Sequence, residues 1–417
     1  MKTSRLISAA FAAIIAACAP AAFAQLTIPS DGSDGALVIA SNTVIDLSRA
    51  VTGNWNDNDS ANAGKGIYDS NMWAVVFKYS SVTISNGAAL TFTNHGSHAP
   101  LVWLVTGDVT INGSLVLDGQ PGLAAPGLAE PGPGGFRGGT GYYTPGVDRG
   151  PGFGPGGGQP YTSGDEGSGG SYGTVGSLGS PAYGNASLIP LIGGSGGAGR
   201  YYNFPNGGGA GGGAVLVACG GNLTVAGTVS ANGGYGQQGA SGGSGGGIRL
   251  VANTFSGSGI IQALGGAGDH PGGLGRIRIE RVTNNNNSQV NPDPSILALQ
   301  AGSTPVIWPP STGPSAKIIS IGNVTAPADP RASFGTFGPD VALPEVTNTQ
   351  VLVETTNVET AAIVNVRVSP RANAQYTEVV AGLNQIISTN PMVIRWLATN
   401  VPVQDGYSSV IVRVVRP

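Results

Sequence analysis

Apolar residues come in short runs along this chain and never at helical spacing. In the first hundred residues the runs are 36–40 (ALVIA), 44–47 (VIDL), 73–77 (WAVVF), 81–84 (SVTI) and 89–92 (ALTF). They are rich in β-branched or aromatic residues and are punctuated by Asn, Gly, Asp and Ser, so each is expected to be a short strand ended by a turn. No stretch places apolar residues at i, i+3, i+4 and i+7 over a helical length. The expected fold class is all-β.

An internal repeat organises the middle of the chain. Residues 109–119 (VTINGSLVLDG) align with 223–233 (LTVAGTVSANG) and, more loosely, with 255–265 (FSGSGIIQALG). Each copy is two short strands hinged at a central Gly and closed by another. Buried-type strands alternate with the copies: 214–218 (AVLVA), 248–252 (IRLVA) and 276–280 (RIRIE). A unit of about thirty residues with three short strands and tight corners predicts a right-handed parallel β-helix spanning 25–283. Glycine suits the corners of such a solenoid, where φ is positive or where no room is left for a Cβ. The tract 207–213, with six Gly in seven residues, reads as one of those corners.

Residues 120–207 break the pattern, with Pro-Gly pairs, few apolar runs and scattered Tyr at 142, 143, 161, 172 and 183. They read as a long excursion from one corner, either functional or without fixed structure. Polyproline II strands packed through glycine faces are a third possibility. The stretch 284–313, with four consecutive Asn and Pro292, Pro294, Pro309 and Pro310, reads as a cap and linker. Beyond it, 317–321, 349–354, 362–368, 392–396 and 409–414 alternate apolar and polar residues. That pattern predicts a small β-sandwich over 314–417, similar to immunoglobulin or fibronectin type III modules but without their Cys pair.

The start of the chain supplies an address. Lys2 and Arg5 precede an apolar stretch, 6–17, too short to span a bilayer; Pro20 and the small-x-small Ala22-Phe23-Ala24 follow. A signal peptide over 1–24, cleaved to leave Gln25, is expected. The alternative is a lipoprotein anchored through Cys18, which ends a lipobox-like Ile15-Ala16-Ala17-Cys18. Either route exports the protein, to the outer cell surface or the medium. Of the two Cys only Cys219 surely survives cleavage, so no internal disulfide is expected, and Cys219 reads as a small buried apolar residue.

Composition narrows the function classes. Gly occupies 71 of 417 positions without a strict third-residue period, which excludes collagen. Charged residues are 10% and the net charge is -3. Nucleic-acid and basic membrane-surface binding need clustered Lys and Arg, and no Lys lies between Lys78 and Lys317.

The coil pattern of glycine tract, buried strand and a closing Ala-Asn-Gly-Gly is carried by 211–217 (GGGAVLV) and 230–234 (SANGG). Over roughly 80–282 it resembles the glycine-rich, exported bacterial surface proteins built on a right-handed parallel β-helix of the pectin-lyase-like kind. The resemblance implies architecture more than activity. Some such helices are polysaccharide lyases or hydrolases, which bring carboxylates together on one face. Here Asp108, Asp118, Glu130, Asp148, Asp165, Glu166, Asp269 and Glu280 are thinly spread. Asp118 aligns with Asn232, a pairing that reads as a structural corner ladder.

Metal sites are weakly signalled. Asp57-Asn58-Asp59 begins like a calcium loop but continues with Ala61 and Asn62; 233–238 (GGYGQQ) has Gln where a calcium nonapeptide needs Asp; 31–35 (DGSDG) reads as a turn. His95, His98 and His270 lack the spacing of a zinc site. No cofactor is expected, with calcium the one candidate. Ice binding would need Thr-x-Thr ranks on successive coils, and only Thr91-Phe92-Thr93 fits. The expected activity is adhesion to an extracellular polysaccharide or cell-surface component without catalysis, through Tyr142, Tyr143, Tyr161 and Tyr172, whose rings can stack on sugars. The alternative is a lyase or hydrolase on the same fold. Acids converging on one face would favour the enzyme.

Overall fold

The computed structural model describes residues 24–417 except 58–60, 62, 142–148, 162–166, 201–205, 332–337 and 373–374. The expected leader, with Cys18, lies outside the described residues. Strands fill the first part in the order β1 (Gly35–Ile39), β2 (Thr43–Asp46), β3 (Val51–Thr52), β4 (Ile67–Asp69), β5 (Ala74–Ile84), β6 (Ala89–Thr93), β7 (Leu101–Val105), β8 (Val109–Ile111) and β9 (Ser114–Val116). After a long glycine-rich stretch come β10 (Ala214–Cys219), β11 (Asn222–Val225), β12 (Thr228–Ser230), β13 (Gly247–Gly257), β14 (Ile260–Gln262), β15 (Arg276–Asn286), β16 (Gln289–Asn291) and β17 (Ser295–Ala298). The C-terminal part holds β18 (Ser315–Ile321), β19 (Val324–Thr325), β20 (Asn348–Thr356), β21 (Ile363–Pro370), β22 (Thr377–Thr389), β23 (Met392–Pro402) and β24 (Ser408–Val415). The fold is all-β, and no α-helix occurs among the described residues.

The sequence repeat is also the pairing register. Val109 pairs Leu223 and Leu223 pairs Phe255, while Ser114 pairs Thr228 and Thr228 pairs Ile260, all parallel. The architecture nevertheless departs from the expected pectin-lyase-like right-handed β-helix. The eleven-residue β5 pairs β7 over Val75–Tyr79 and β8 over Val82–Ile84. β13, of the same length, does likewise with β10 and β11. Because β7 pairs β10 and β8 pairs β11, the ladder β5-β7-β10-β13-β11-β8 returns to β5 as a closed six-strand parallel barrel, not an open solenoid. The physical reason is strand length: two long strands each bridge two short ones, and a closed ladder leaves no edge inside the ring.

Strand composition sets which faces are buried. In β7 (LVWLV) every residue is buried, with Leu101, Trp103 and Val105 in the main core and Val102 and Leu104 in a second cluster outside it. β8 (VTI) alternates instead, burying Val109 and Ile111 and turning Thr110 outward. β10 and β11 repeat the contrast, AVLVAC then NLTV. Continuous apolar runs mark a strand covered on both faces, and alternation marks one with a wet face. The covers are local segments: Leu26 and Ile28 from the N-terminal stretch and Ile307 from 284–313 belong to the outer cluster, with Leu191 and Trp308 packed against it. The expected linker thus carries β16 and β17 and lies packed against the sheet.

The glycine-rich excursion is ordered wherever it is described, and glycine is the reason. Successive amides of 207–213 donate in three directions. Gly207, Ala210 and Gly213 donate to the carbonyls of Leu123, Gln120 and Leu117; Gly208 and Gly211 to Gly139 and Phe136; Gly209 and Gly212 to Ser241 and Ser244, at 2.8–3.0 Å. Partners recurring every third residue, with no bond inside the segment, are the signature of polyproline II geometry. The segment 241–246 (SGGSGG) does the same toward 195–198, 231–234 and 270–273. A Cβ on Gly246 would stand 1.8 Å from the Gly213 carbonyl oxygen, and one on Gly209 would stand 1.9 Å from that of Gly234. The tract 207–213 is therefore a central chain of a polyglycine-type lattice and not a corner.

The C-terminal part corrects the expected immunoglobulin-like sandwich. It is one seven-stranded antiparallel sheet, ordered β19-β18-β20-β23-β22-β21-β24 and curled as a half-barrel over a core that includes Val353, Val366, Ile394 and Trp396. β22, thirteen residues long, makes it continuous by pairing β21 as far as Ala381 and β23 from Gly382 onward. This strand escapes sequence reading because register shifts at Leu383/Gln385 and Ile386/Ser388 destroy its alternation. The sheet docks on the glycine lattice: Thr140 Oγ1 donates to the Arg371 carbonyl at 2.9 Å, Gln375 Nε2 to that of Pro160 at 2.9 Å, and Arg367 Nη1 to that of Gly154 at 3.4 Å.

Candidate functional site

Polar side chains concentrate where β4, the 94–98 loop and the 329–331 stretch meet. β4 runs apolar-aromatic-acid, so Tyr68 is buried and its ring stacks on His95 at 4.0 Å between centroids. The Tyr68 hydroxyl donates to Asp329 Oδ1 at 2.5 Å, and burial together with that carboxylate pushes the phenol up to about 12. His95 Nδ1 accepts from the backbone N–H of Ser97 at 3.2 Å and pairs its Oγ at 2.8 Å, which fixes a neutral imidazole protonated on Nε2. Burial, with Arg331 nearby, holds the His95 pKa below the usual histidine range.

His98, at φ +53°, turns to the other side and meets Arg137, whose NH2 lies 2.8 Å from its Nε2. Arg137 in turn pairs Glu130 at 2.6 Å. Trp73, at φ +47°, donates its indole N–H to the Ser97 carbonyl at 3.0 Å. Two non-glycine residues in the left-handed region beside one polar cluster mark a site whose geometry is imposed by its surroundings. The cluster is composed of a serine, two neutral histidines, a tyrosine, acids and guanidinium groups, a set able to pass protons. Its Ser97 and His95 are 5% and 6% exposed, and the contacts join the barrel to the stretch beyond β19. The geometry is that of a latch.

No family model matches the chain, and no curated protein or solved structure matches it.

Of the expected sugar-stacking residues, Tyr142 and Tyr143 lie outside the described residues, as do Asp148, Asp165 and Glu166. Tyr161 is partly exposed, with its hydroxyl 3.4 Å from the Leu178 carbonyl. Tyr172 is 0% exposed, packed on Tyr183 and Leu188 with Arg276 over its ring, and burial drives its phenol pKa far up. Its place in a local core removes it from any surface patch, and the excursion's shortage of other apolar residues is why it is recruited there.

The remaining acids are held singly. Asp118 Oδ1 accepts from the Asn232 N–H at 2.6 Å, and Asn232 Oδ1 accepts from that of Leu264 at 2.8 Å, a ladder across three repeats. Asp108 caps Asn222 in the same way at 2.7 Å. Asp269 pairs Arg200 at 2.7 Å, and Glu280 sits between Arg249 and Arg278. The 31–35 segment is a turn whose Asp31 pairs the buried Lys78 at 3.1 Å. Lys78 Nζ also donates to the Asp57 carbonyl, so the chain's own ammonium sits beside the calcium-like loop. No cluster of three or more His, Cys, Asp or Glu suited to a metal occurs among the described residues. Cys219 is buried, and desolvation raises its thiol pKa strongly, which keeps it a packing residue.

His98 supplies a pH test. Its pKa is lowered to about 3, first by burial and then by Arg137, while the unfolded chain titrates near 6.5. Below about 6.5 the unfolded chain binds a proton that the folded one refuses, so the stability His98 contributes is full above that pH. It is lost progressively as the pH falls toward 3. The variant His98→Asn, which tolerates positive φ, is expected to flatten this acid limb in denaturant midpoints taken from pH 7 to 4. An unchanged limb would place the acid sensitivity elsewhere.

Proposed function

We propose that this chain is an exported, non-enzymatic surface protein that adheres to extracellular polysaccharide, with the barrel, glycine lattice and curled sheet joined as a stiff scaffold. The observation that carries the reading is the glycine lattice, in which buried chains bond to neighbours on three sides and are clamped between the two β units. A segment so bonded has no freedom for the opening and closing that accompany many catalytic cycles, whereas rigidity favours adhesion because little entropy is lost on binding. In this reading the 1–24 leader exports the chain, which acts outside the cell. In this reading 25–283 and 314–417 are distinct units, with 284–313 strapped along the first.

The test is a panel of purified protein against neutral and acidic polysaccharides, with and without calcium, reading retention and chain cleavage in the same wells. Retention without cleavage is expected, independent of calcium. Cleavage would overturn the reading in favour of a lyase or hydrolase.

A further inference from the structure

The outward face of the parallel sheet formed by β5, β7, β8, β10, β11, β13 and β15 is divided lengthwise by chemistry. Its first half presents Val76, Val102 and Leu216, covered by the segments that hold Leu26, Leu191 and Ile307. Its second half presents Thr83, Thr110, Thr224, Ser256 and Asn285, one per strand and each in register with the next. Two positions earlier, Asp108, Asn222, Thr254 and Thr283 form a second column, joined by the cap from Asn222 to Asp108 and by the registers of Asn222 with Thr254 and of Thr254 with Thr283.

Three properties of these columns point to one kind of occupant. First, the spacing is regular: ~4.8 Å between strands and ~6.6 Å between columns follow from sheet geometry. Second, among the described residues the hydroxyls of Thr83, Thr110, Thr254 and Thr283 make no hydrogen bond within the protein, while Thr224 Oγ1 and Ser256 Oγ share one at 2.9 Å. Third, the columns are uncharged apart from Asp108, whose carboxylate already accepts from the Asn222 N–H. The strands cannot splay, because their inward partners Val82, Val109, Leu223 and Phe255 are at most 1% exposed in the main core.

We propose that these hydroxyl columns are the contact face for an uncharged, hydroxyl-rich polymer, a neutral polysaccharide lying against the sheet. A ligand that repeats its own hydroxyls along its length can meet fixed donors and acceptors at many rungs, and each bond adds to the next without further ordering entropy. An anionic polymer would find no cation in the columns. The proposal rests on the adhesion reading above and assigns its site, away from the expected tyrosines.

The experiment uses the full mature chain, with microcrystalline cellulose and chitin as neutral probes and pectate as the anionic one. The double variant Thr110→Val, Thr254→Val keeps shape and strand preference while removing two unpaired hydroxyls. It is expected to weaken retention on the neutral probe about tenfold with the thermal midpoint unchanged. Thr110→Glu, a charge at the centre of the face, is expected to do the same. Wild-type retention that survives both changes would overturn this face while leaving adhesion standing. Absence of retention on every polysaccharide would overturn both. Freezing-point depression by the wild type, lost in the double variant and without polymer retention, would show that the columns order water and would overturn the polymer as occupant.

Discussion

Gly246→Ala is expected to abolish folding. The added methyl would stand 1.8 Å from the Gly213 carbonyl oxygen and 2.6 Å from the Gly212 carbonyl carbon, both backbone atoms. Relief would require moving a chain whose amides are each bonded to a different neighbour, so several hydrogen bonds would be lost together. A loss above ~4 kcal/mol, enough to consume most of a domain's stability, is the expected scale. Gly382→Ala is the control: it lies in β22, has no atom near the new methyl and no positive φ, and is expected to change stability by less than about 0.5 kcal/mol. Denaturant midpoints and soluble yield of the two variants give the comparison. Equal behaviour would contradict the lattice.

The second large effect is expected at Glu280→Ala. Glu280 is 3% exposed and accepts from Arg249, itself 2% exposed at its side chain, at 2.9 Å and from Arg278 at 3.2 Å. Arg249 also donates to the carbonyls of Val306 and Ile307, so it fastens the strap over the sheet. Removing the carboxylate leaves a buried guanidinium without its counter-charge, a change that typically costs about 3–5 kcal/mol. Changing both partners, Arg249→Met with Glu280→Leu, is expected to recover part of that loss, because the isolated charge disappears while the strap carbonyls lose their donor. Urea midpoints of the single and double variants decide it; a double variant as unstable as the single would mean that the strap contacts dominate.

The candidate cluster was less legible than the fold. His95 and His98 were visible as loop histidines, but their partners Tyr68, Arg137 and Asp329 are distant in sequence and no short motif spaces them. The hydroxyl columns were hidden for a related reason. Thr110, Thr224 and Ser256 sit in strands of mixed composition, and a search for Thr-x-Thr within single strands misses ranks that form only across strands. The Asp118–Asn232 corner ladder, by contrast, followed from the repeat alignment and is present.

The sequence by itself determined the all-β class, the register of the repeats and the buried character of the runs 214–218 and 248–252. Those features are local: alternation reports one wet face, a continuous apolar run reports two dry ones, and copies of one repeat pair position for position. Only the tertiary structure decided how the ladder closes, that β22 turns one sheet into a half-barrel, and that the glycine excursion is a lattice. Closure depends on long strands spanning two short ones, and bulges erase the pattern of β22. The lattice is invisible to side-chain patterns because its specificity lies in backbone amides and in the missing Cβ, which acquire partners only when distant glycine chains come together.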